Sequence, residues 1–406
     1  MSKKLLLIFL SVLCIAVAFT ATACKKAKPG VTATEIRIGQ WGPQTGPAAL
    51  WGAVGRGTDC YFKMINDEGG INGRKLVYFL RDDGYQPAQT KAEVKKLVEG
   101  EGVFAFVGGV GTATGMAVKD YLEDNKIPWV SPSTGSTHWA YPPSKYCFAT
   151  YPLYCHEAAV MVDYAVNTLK KTKIAIFYQN DDYGKLGVYG AELTLKKHNL
   201  KFVEKVSAEI VDTDLSSQAL KLKASGAEVV LLFILPKHGA IMLGTAAKIG
   251  FKPQFMTSST LSDNPLMMKI TKGLWKDMIV CRFYSSPFSN HPELVKRRAA
   301  WKKYAPQEQW GTFFAAGFLF AETLVEGIKR CGKDVTPDNF VKAMETLNDW
   351  KGGTAAPMTF TPTQRQGTNA VYLSKVQSVN DMDDIKLTDW ITADLDINEV
   401  LKMEGR

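Results

Sequence analysis

Histidine is scarce, and the five that occur do not cluster: they stand at positions 138, 156, 198, 238 and 291. No Cys-x-x-Cys pair and no Cys/His spacing of a zinc site accompanies them. We therefore expect no metal and no other cofactor. Long apolar runs are equally lacking: after Phe19 none approaches the roughly 20 residues that a membrane-spanning helix needs. Nor do the lysines gather. The pairs Lys170-Lys171, Lys196-Lys197 and Lys302-Lys303 are spread over helical stretches. No basic groove with interleaved aromatics forms, which argues against nucleic acid as a partner.

Catalytic constellations are missing too. The stretch Gly109-Val110-Gly111-Thr112-Ala113-Thr114-Gly115 follows an apolar run, but its spacing is not the GxGxxG of a dinucleotide site, and no acidic residue stands about 20 positions on. Its central Ala113 also rules out a nucleophile elbow, which needs a serine there. The doublets Asp82-Asp83 and Asp181-Asp182 read as solvated turns, because adjacent side chains point apart. We expect a protein that is not an enzyme.

What is present begins with Met1-Ser2-Lys3-Lys4, an apolar stretch from Leu5 to Phe19, and Thr20-Ala21-Thr22-Ala23-Cys24. A basic start, a short apolar core and small exit residues describe a secretory leader over residues 1–23. Cleavage there would leave Cys24 first, as in a bacterial lipoprotein whose cysteine carries a lipid. Ala21 departs from the leucine such boxes usually hold. The expectation is a periplasmic or cell-surface protein tethered by Cys24, with 24–34 as linker. The net charge of +9 would fall to +7 as Lys3 and Lys4 leave. About 380 residues would remain, enough for two domains with full cores. Five cysteines follow, Cys60, Cys147, Cys155, Cys281 and Cys331. An exported setting permits disulfides, and their pairing is left open.

From residue 35 short apolar runs alternate with amphipathic stretches. Strands are expected at 35–40, 75–81, 103–107 and 129–130, with helices at 49–68, 88–99 and 115–125. The rhythm then repeats, with strands at 173–178, 201–206, 228–234 and 254–257 and helices at 184–198, 215–225 and 237–249. Runs such as Val229-Val230-Leu231-Leu232-Phe233-Ile234 are apolar throughout, as in parallel strands covered on both faces. Two such series imply an α/β protein of two doubly wound parallel-sheet lobes. Helices at 292–304, 311–330 and 337–347 and strands at 358–360 and 369–376 complete the chain. The expected division is 35–150 plus 283–355 for lobe one and 151–282 plus 356–406 for lobe two, joined by a hinge of several crossing strands.

Ile36–Gly39, Thr45-Gly46-Pro47, Trp51-Gly52 and the run Asn66-Asp67-Glu68-Gly69-Gly70-Ile71-Asn72-Gly73 carry a likeness, continued by Val107-Gly108-Gly109, Ile127-Pro128, Ser131-Pro132, Asp182-Tyr183-Gly184 and Gly250-Phe251. In this order they resemble the leucine/isoleucine/valine-binding family, the type I periplasmic solute-binding proteins of ABC importers. The likeness implies a small-molecule ligand held between the lobes by hinge closure, and the membrane subunits of an importer as partners.

Doubly wound sheets bind ligands at the carboxyl ends of their strands. There, Gly111, Thr112 and Ala113 open a helix whose free amides suit a carboxylate, and Ser133, Thr134 and Ser136 supply hydroxyls. The resemblance implies that these grip the ligand's acidic end, that Trp51 and Tyr183 wall the pocket from opposite lobes, and that Ser259 stands in a ligand loop of lobe two. Plainer roles are open to the same residues: a helix cap for Thr112, turns for the serines, core for Trp51.

One departure stands out. Amino-acid binders of the family place an acidic residue after the strand at 254–257, to pair with the ligand's ammonium. Here Ser258-Ser259-Thr260 follows, with no carboxylate before Asp263. Leu235-Pro236-Lys237-His238, at the other lobe-two ligand loop, is more apolar and basic than usual. An unpaired buried ammonium is costly. A ligand without an amine fits better: an aromatic or aliphatic carboxylate, an amide, or something larger and apolar. Trp41, Trp51 and Trp139, all expected near binding loops, lean the same way. A receptor serving a separate sensor, or a carrier of a larger apolar ligand, also fits the pattern.

Overall fold

Apolar runs buried on both faces need partners on both sides, and the chain supplies them by interleaving helices. The computed structural model describes residues 30–379 and 383–406; the expected leader and Cys24 lie outside the described residues. The first sheet has the order β2-β1-β3-β4-β5 and is wholly parallel. It comprises β1 (Glu35–Gly42), β2 (Lys75–Asp82), β3 (Ala105–Val107), β4 (Trp129–Val130) and β5 (Cys147–Phe148). Helices α1 (Ala53–Asp67), α2 (Pro87–Lys96) and α3 (Thr112–Asp124) connect its strands.

Helix α4 (Tyr154–Asn167) leads into a second, seven-stranded sheet. Its parallel part is β6 (Ile174–Gln179), β7 (Glu204–Ala208), β8 (Val229–Phe233), β9 (Gln254–Thr257) and β10 (Ile279–Arg282). Between these strands run α5 (Asp182–Lys197), α6 (Ser216–Ala224), α7 (Pro236–Lys248) and α8 (Asn264–Ile270). β11 (Tyr372–Lys375) and β12 (Ile385–Lys386) extend the edge antiparallel. The molecule is thus two α/β lobes, as the alternation of the sequence predicts.

After β10 the chain returns to the first lobe through α9 (Pro292–Tyr304), α10 (Thr312–Cys331) and α11 (Pro337–Met344). The long apolar face of α10 lies on α1 at very close range. A Cβ on Gly57 would stand 1.9 Å from the carbonyl oxygen of Phe314, so only glycine permits this crossing. The segment expected as a strand at 358–360 forms only an isolated bridge, Met358 with Trp350. Gly367 N–H donates to Ala149 O at 2.8 Å. Residues 356–367 therefore stay with lobe one, and the last crossing falls near residue 368 rather than 356.

Sequence patterning misses β5, α4, β10, α8, β12 and the terminal helix α12 (Ile397–Met403). β5 spans two residues, too few for any periodicity. α4 is apolar nearly all round and is buried on almost every face, so it has no polar stripe to announce a helix. Cys60, Cys147, Cys155, Cys281 and Cys331 are all free thiols, the first four of them buried. They pack as small apolar side chains, and no disulfide joins the described residues.

Candidate functional site

The first wall forms where β3 and β4 end. After Val107 the chain turns through Gly108, Gly109 and Gly111, all at positive φ. Gly111, at φ 106, has no room for a side chain, since a Cβ would meet the Tyr85 ring at 2.6 Å. This turn aims the first turn of α3 at the space between the lobes. The amides of a first helical turn lack intrahelical acceptors, and the helix end is positive. Thr112 Oγ1 lies 2.6 Å from Thr134 Oγ1, so one hydroxyl pair shares its protons beside these amides. Ser133 Oγ is buried in the same wall and has no hydrogen-bond partner among the described residues.

The second lobe contributes Tyr154 and Tyr183 from the first turns of α4 and α5, with Ser259 and Thr260 from the turn after β9. The floor comes from the crossing segments and α10: Tyr151, Phe283, Tyr284, Phe313 and Phe320. With Trp51 and Tyr85 of lobe one, nine of the eighteen lining residues are aromatic, and none is Asp, Glu, Lys, Arg or His. About 50 Å³ within this lining is open to a water-sized molecule. The site is an aromatic box whose polar groups are hydroxyls from both lobes and the amides that open α3.

The lobes meet directly around it. Trp51 Nε1 donates to Thr260 O at 2.9 Å, and its ring meets that of Tyr183 edge-on at 6.3 Å. Thr312 Oγ1 donates to Ser262 O at 2.9 Å, and Phe313 N–H donates to Asp263 Oδ2 at 2.8 Å. At the rim, both Glu404 oxygens, beyond α12, accept from Thr137 Oγ1 of lobe one, at 2.8 and 2.7 Å. Such bonds exist only while the lobes are apposed, so the arrangement is the closed one.

Of the residues singled out in the sequence, Trp51, Gly111, Thr112, Ser133, Tyr183 and Ser259 line the cavity. Ala113, Thr134 and Ser136 do not. Thr134 stands behind Thr112, and Ser136 caps the short turn Thr137–Trp139 by accepting from His138 N–H at 3.3 Å. Trp41 and Trp139 are no part of the site: both are fully buried behind the first sheet, against Trp129. The basic loop is also silent, since Pro236 opens α7 and His238 bonds Asp212 O at 3.0 Å. Asp263 caps α8 and holds Phe313, and burial raises its carboxyl above the usual range.

The acidic doublets do local work. Asp82 accepts from Gln44 N–H and Thr45 Oγ1, Asp83 from Tyr85 N–H and Thr90 Oγ1, and Asp181 from Gly184 N–H.

Sequence reasoning missed Tyr85, Tyr151, Tyr154, Phe283, Tyr284, Phe313 and Phe320. The available signal was placement: Tyr151-x-x-Tyr154 and Phe283-Tyr284 fall in the segments that cross between lobes.

Two hinged α/β lobes closed over a neutral, hydroxyl-tipped aromatic cavity define a ligand-binding protein. The chain matches the periplasmic binding protein family over residues 35–381 and belongs to it. The Leu/Ile/Val-binding protein homolog 3 of Brucella melitensis biotype 1 is 32% identical over 197 residues, which cover 48% of this chain and 53% of that protein. The leucine-specific-binding protein of Salmonella typhimurium is 26% identical over 322 residues, covering 78% of this chain and 86% of that protein. In fold, the fatty acid ABC transporter substrate-binding protein from Thermomonospora curvata superimposes with a TM-score of 0.83 at 22% identity, over 91% of this chain and 95% of that one. Among the described residues no helix is long and apolar enough to cross a membrane.

Proposed function

We propose that this protein captures a small, largely apolar molecule that carries a carboxylate or amide but no ammonium, and delivers it to an ABC importer from the periplasm or cell surface, tethered there by a lipid on Cys24. One observation carries the reading: among the described residues the cavity presents nine aromatic rings and no charged side chain. A buried ammonium would find no carboxylate on the wall and would lose its hydration uncompensated. A carboxylate fares better, because the α3 amides, the Thr112 hydroxyl and the buried Ser133 Oγ converge at one end. The shared fold does not choose the ligand: leucine stands in the name of the Salmonella relative and fatty acid in that of the Thermomonospora structure.

In this mechanism the ligand docks on lobe one at Thr112 and Ser133, and lobe two then swings Tyr183 over it. Closure follows because the ligand contacts both lobes only in the apposed form, so binding shifts the hinge equilibrium. Ligand release, not chemistry, is the end of the cycle.

The test is calorimetry on the mature chain with 3-phenylpropionate, 4-methylpentanoate and leucine. The two amine-free acids should bind at least about tenfold more tightly than leucine, a gap of about 1.4 kcal/mol. Leucine binding more tightly than both acids would overturn the ligand class.

A further inference from the structure

Behind the cavity wall sits a carboxyl group that the ligand-binding scheme does not use. Glu157, in the first turn of α4, is fully buried. It does not line the cavity; Ser259 stands between. Ser259 N–H donates to Glu157 Oε2 at 3.0 Å, and Ser259 Oγ bonds Glu157 Oε1. The same Ser259 Oγ lies 2.6 Å from the Tyr151 hydroxyl, and Tyr151 and Ser259 both face the cavity. The three groups form an unbranched chain from a buried acid to a cavity hydroxyl.

A hydroxyl has one hydrogen to give, so the chain has two consistent directions. With Glu157 ionised, both its oxygens only accept. Ser259 Oγ must then donate to Glu157 and accept from Tyr151, whose hydrogen is consumed; the Tyr151 oxygen offers the cavity a lone pair. With Glu157 protonated, its O–H donates to Ser259 Oγ, Ser259 donates to Tyr151, and the Tyr151 O–H is free to point at a ligand. We propose that Glu157 is a positioning residue whose proton sets the polarity of the Glu157–Ser259–Tyr151 chain, so that the cleft offers a hydrogen-bond donor to an acceptor-ended ligand when Glu157 is protonated and an acceptor when it is not. This rests on the cleft being the ligand site.

The surroundings keep that proton in play. The titratable groups that feel Glu157 are Tyr154 and Cys155 on its own helix, Tyr151 in the segment before it and Cys281 on β10, all neutral in the ordinary range. Neither α5, packed along α4, nor the turn at Ser259 places a cation against it; among the described residues Ser259 is its one hydrogen-bond partner. Burial without a counter-ion pushes its carboxyl up to about 7.

The experiment uses the mature chain and has two arms. Infrared difference spectra of the ligand-free protein between about pH 5.5 and pH 8.5 should show a buried carboxyl band that vanishes in Glu157→Gln. A tyrosine C–O band, absent in Tyr151→Phe, should shift with it. A carboxyl that titrates while the Tyr151 band stays fixed would overturn the reversal, whether or not any ligand binds. In the second arm, 3-phenylpropionate should bind about tenfold more weakly at the higher pH, the worth of one hydrogen bond to a charged group. Glu157→Gln, locked in the protonated pattern, should bind with the low-pH affinity throughout. Ser259→Ala keeps the charge but cuts the chain, so the same tenfold slope persisting there would assign it to simple repulsion and overturn the relay. If neither 3-phenylpropionate nor 4-methylpentanoate binds wild type at any pH while both infrared bands move together, the ligand class fails and the switch stands.

Discussion

Two clusters of aromatic rings lie at the carboxyl ends of the first sheet's strands, and they do opposite things. Trp41, Trp129 and Trp139 pack tilted and edge-on with ring centroids 5.1 and 4.8 Å apart and are essentially excluded from solvent. Glycines let them close up: a Cβ on Gly109 would stand 2.4 Å from Trp41, and one on Gly115 would stand 2.8 Å from Trp139. No space is left, and the cluster is core. Across the strand tips Trp51, Tyr85, Tyr154 and Tyr183 stand with centroids 4.7 to 6.3 Å apart in successive contacts, yet they enclose a cavity. They come from both lobes, and rigid lobes meeting at a hinge cannot interdigitate as one core does. Aromatic rings near a binding loop mark a site only when they bridge two bodies.

That contrast can be broken. Trp139→Ala should cost about 3–5 kcal/mol of stability, read by urea unfolding, and leave the affinity of the folded fraction unchanged. Tyr183→Ala should reverse the pattern, with binding weakened roughly a hundredfold, about 2.7 kcal/mol, and a smaller loss of stability. Tyr183→Phe should stay close to wild type in affinity, because the Tyr183 hydroxyl is spent on Thr260 Oγ1 at 2.6 Å within its own lobe. Equal stability losses for Trp139→Ala and Tyr183→Ala would erase the distinction.

A second measurement sharpens it by charge. The cleft's buried acid has a folded-state proton affinity raised from 4.5 to about 7. The folded form therefore binds the proton more tightly than the unfolded chain. That contribution to stability is complete below about pH 4.5 and is lost as pH rises through about 7. Glu157→Gln should match wild type near pH 4.5 and exceed it at pH 8, by roughly 3 kcal/mol at most. Thermal denaturation across that window checks the sign. Smaller still, Thr112→Val should weaken acid binding about tenfold. Lys197→Ala, which loses only an exposed pair with Asp394, should change affinity not at all and stability by under about 0.5 kcal/mol.

Much of the fold is legible along the chain because its causes are local. The strand at Gln254–Thr257 and the helix at Pro292–Tyr304 fall where periodicity and the Pro at the first helical position put them. The site is legible in part for the same reason: Gly111-Thr112 and Ser133 sit at strand tips that topology alone marks. Tyr151, Phe283 and Phe313 escape notice because nothing local separates a cavity aromatic from a core one. Trp41 and Trp51, ten residues apart and alike in composition, end on different sides of that divide.

By itself, then, the sequence determined the alternation of strand and helix, the number of lobes and the glycine and hydroxyl turns at the strand tips, since each follows from side-chain pattern within a dozen residues. Only the tertiary structure decided which rings face empty space, that no charged side chain among the described residues lines the cavity, that Glu157 stands behind Ser259 about a hundred positions away in the chain, and that these five cysteines stay unpaired. Those are properties of surfaces brought together by chain crossings. No local pattern encodes which two faces will meet.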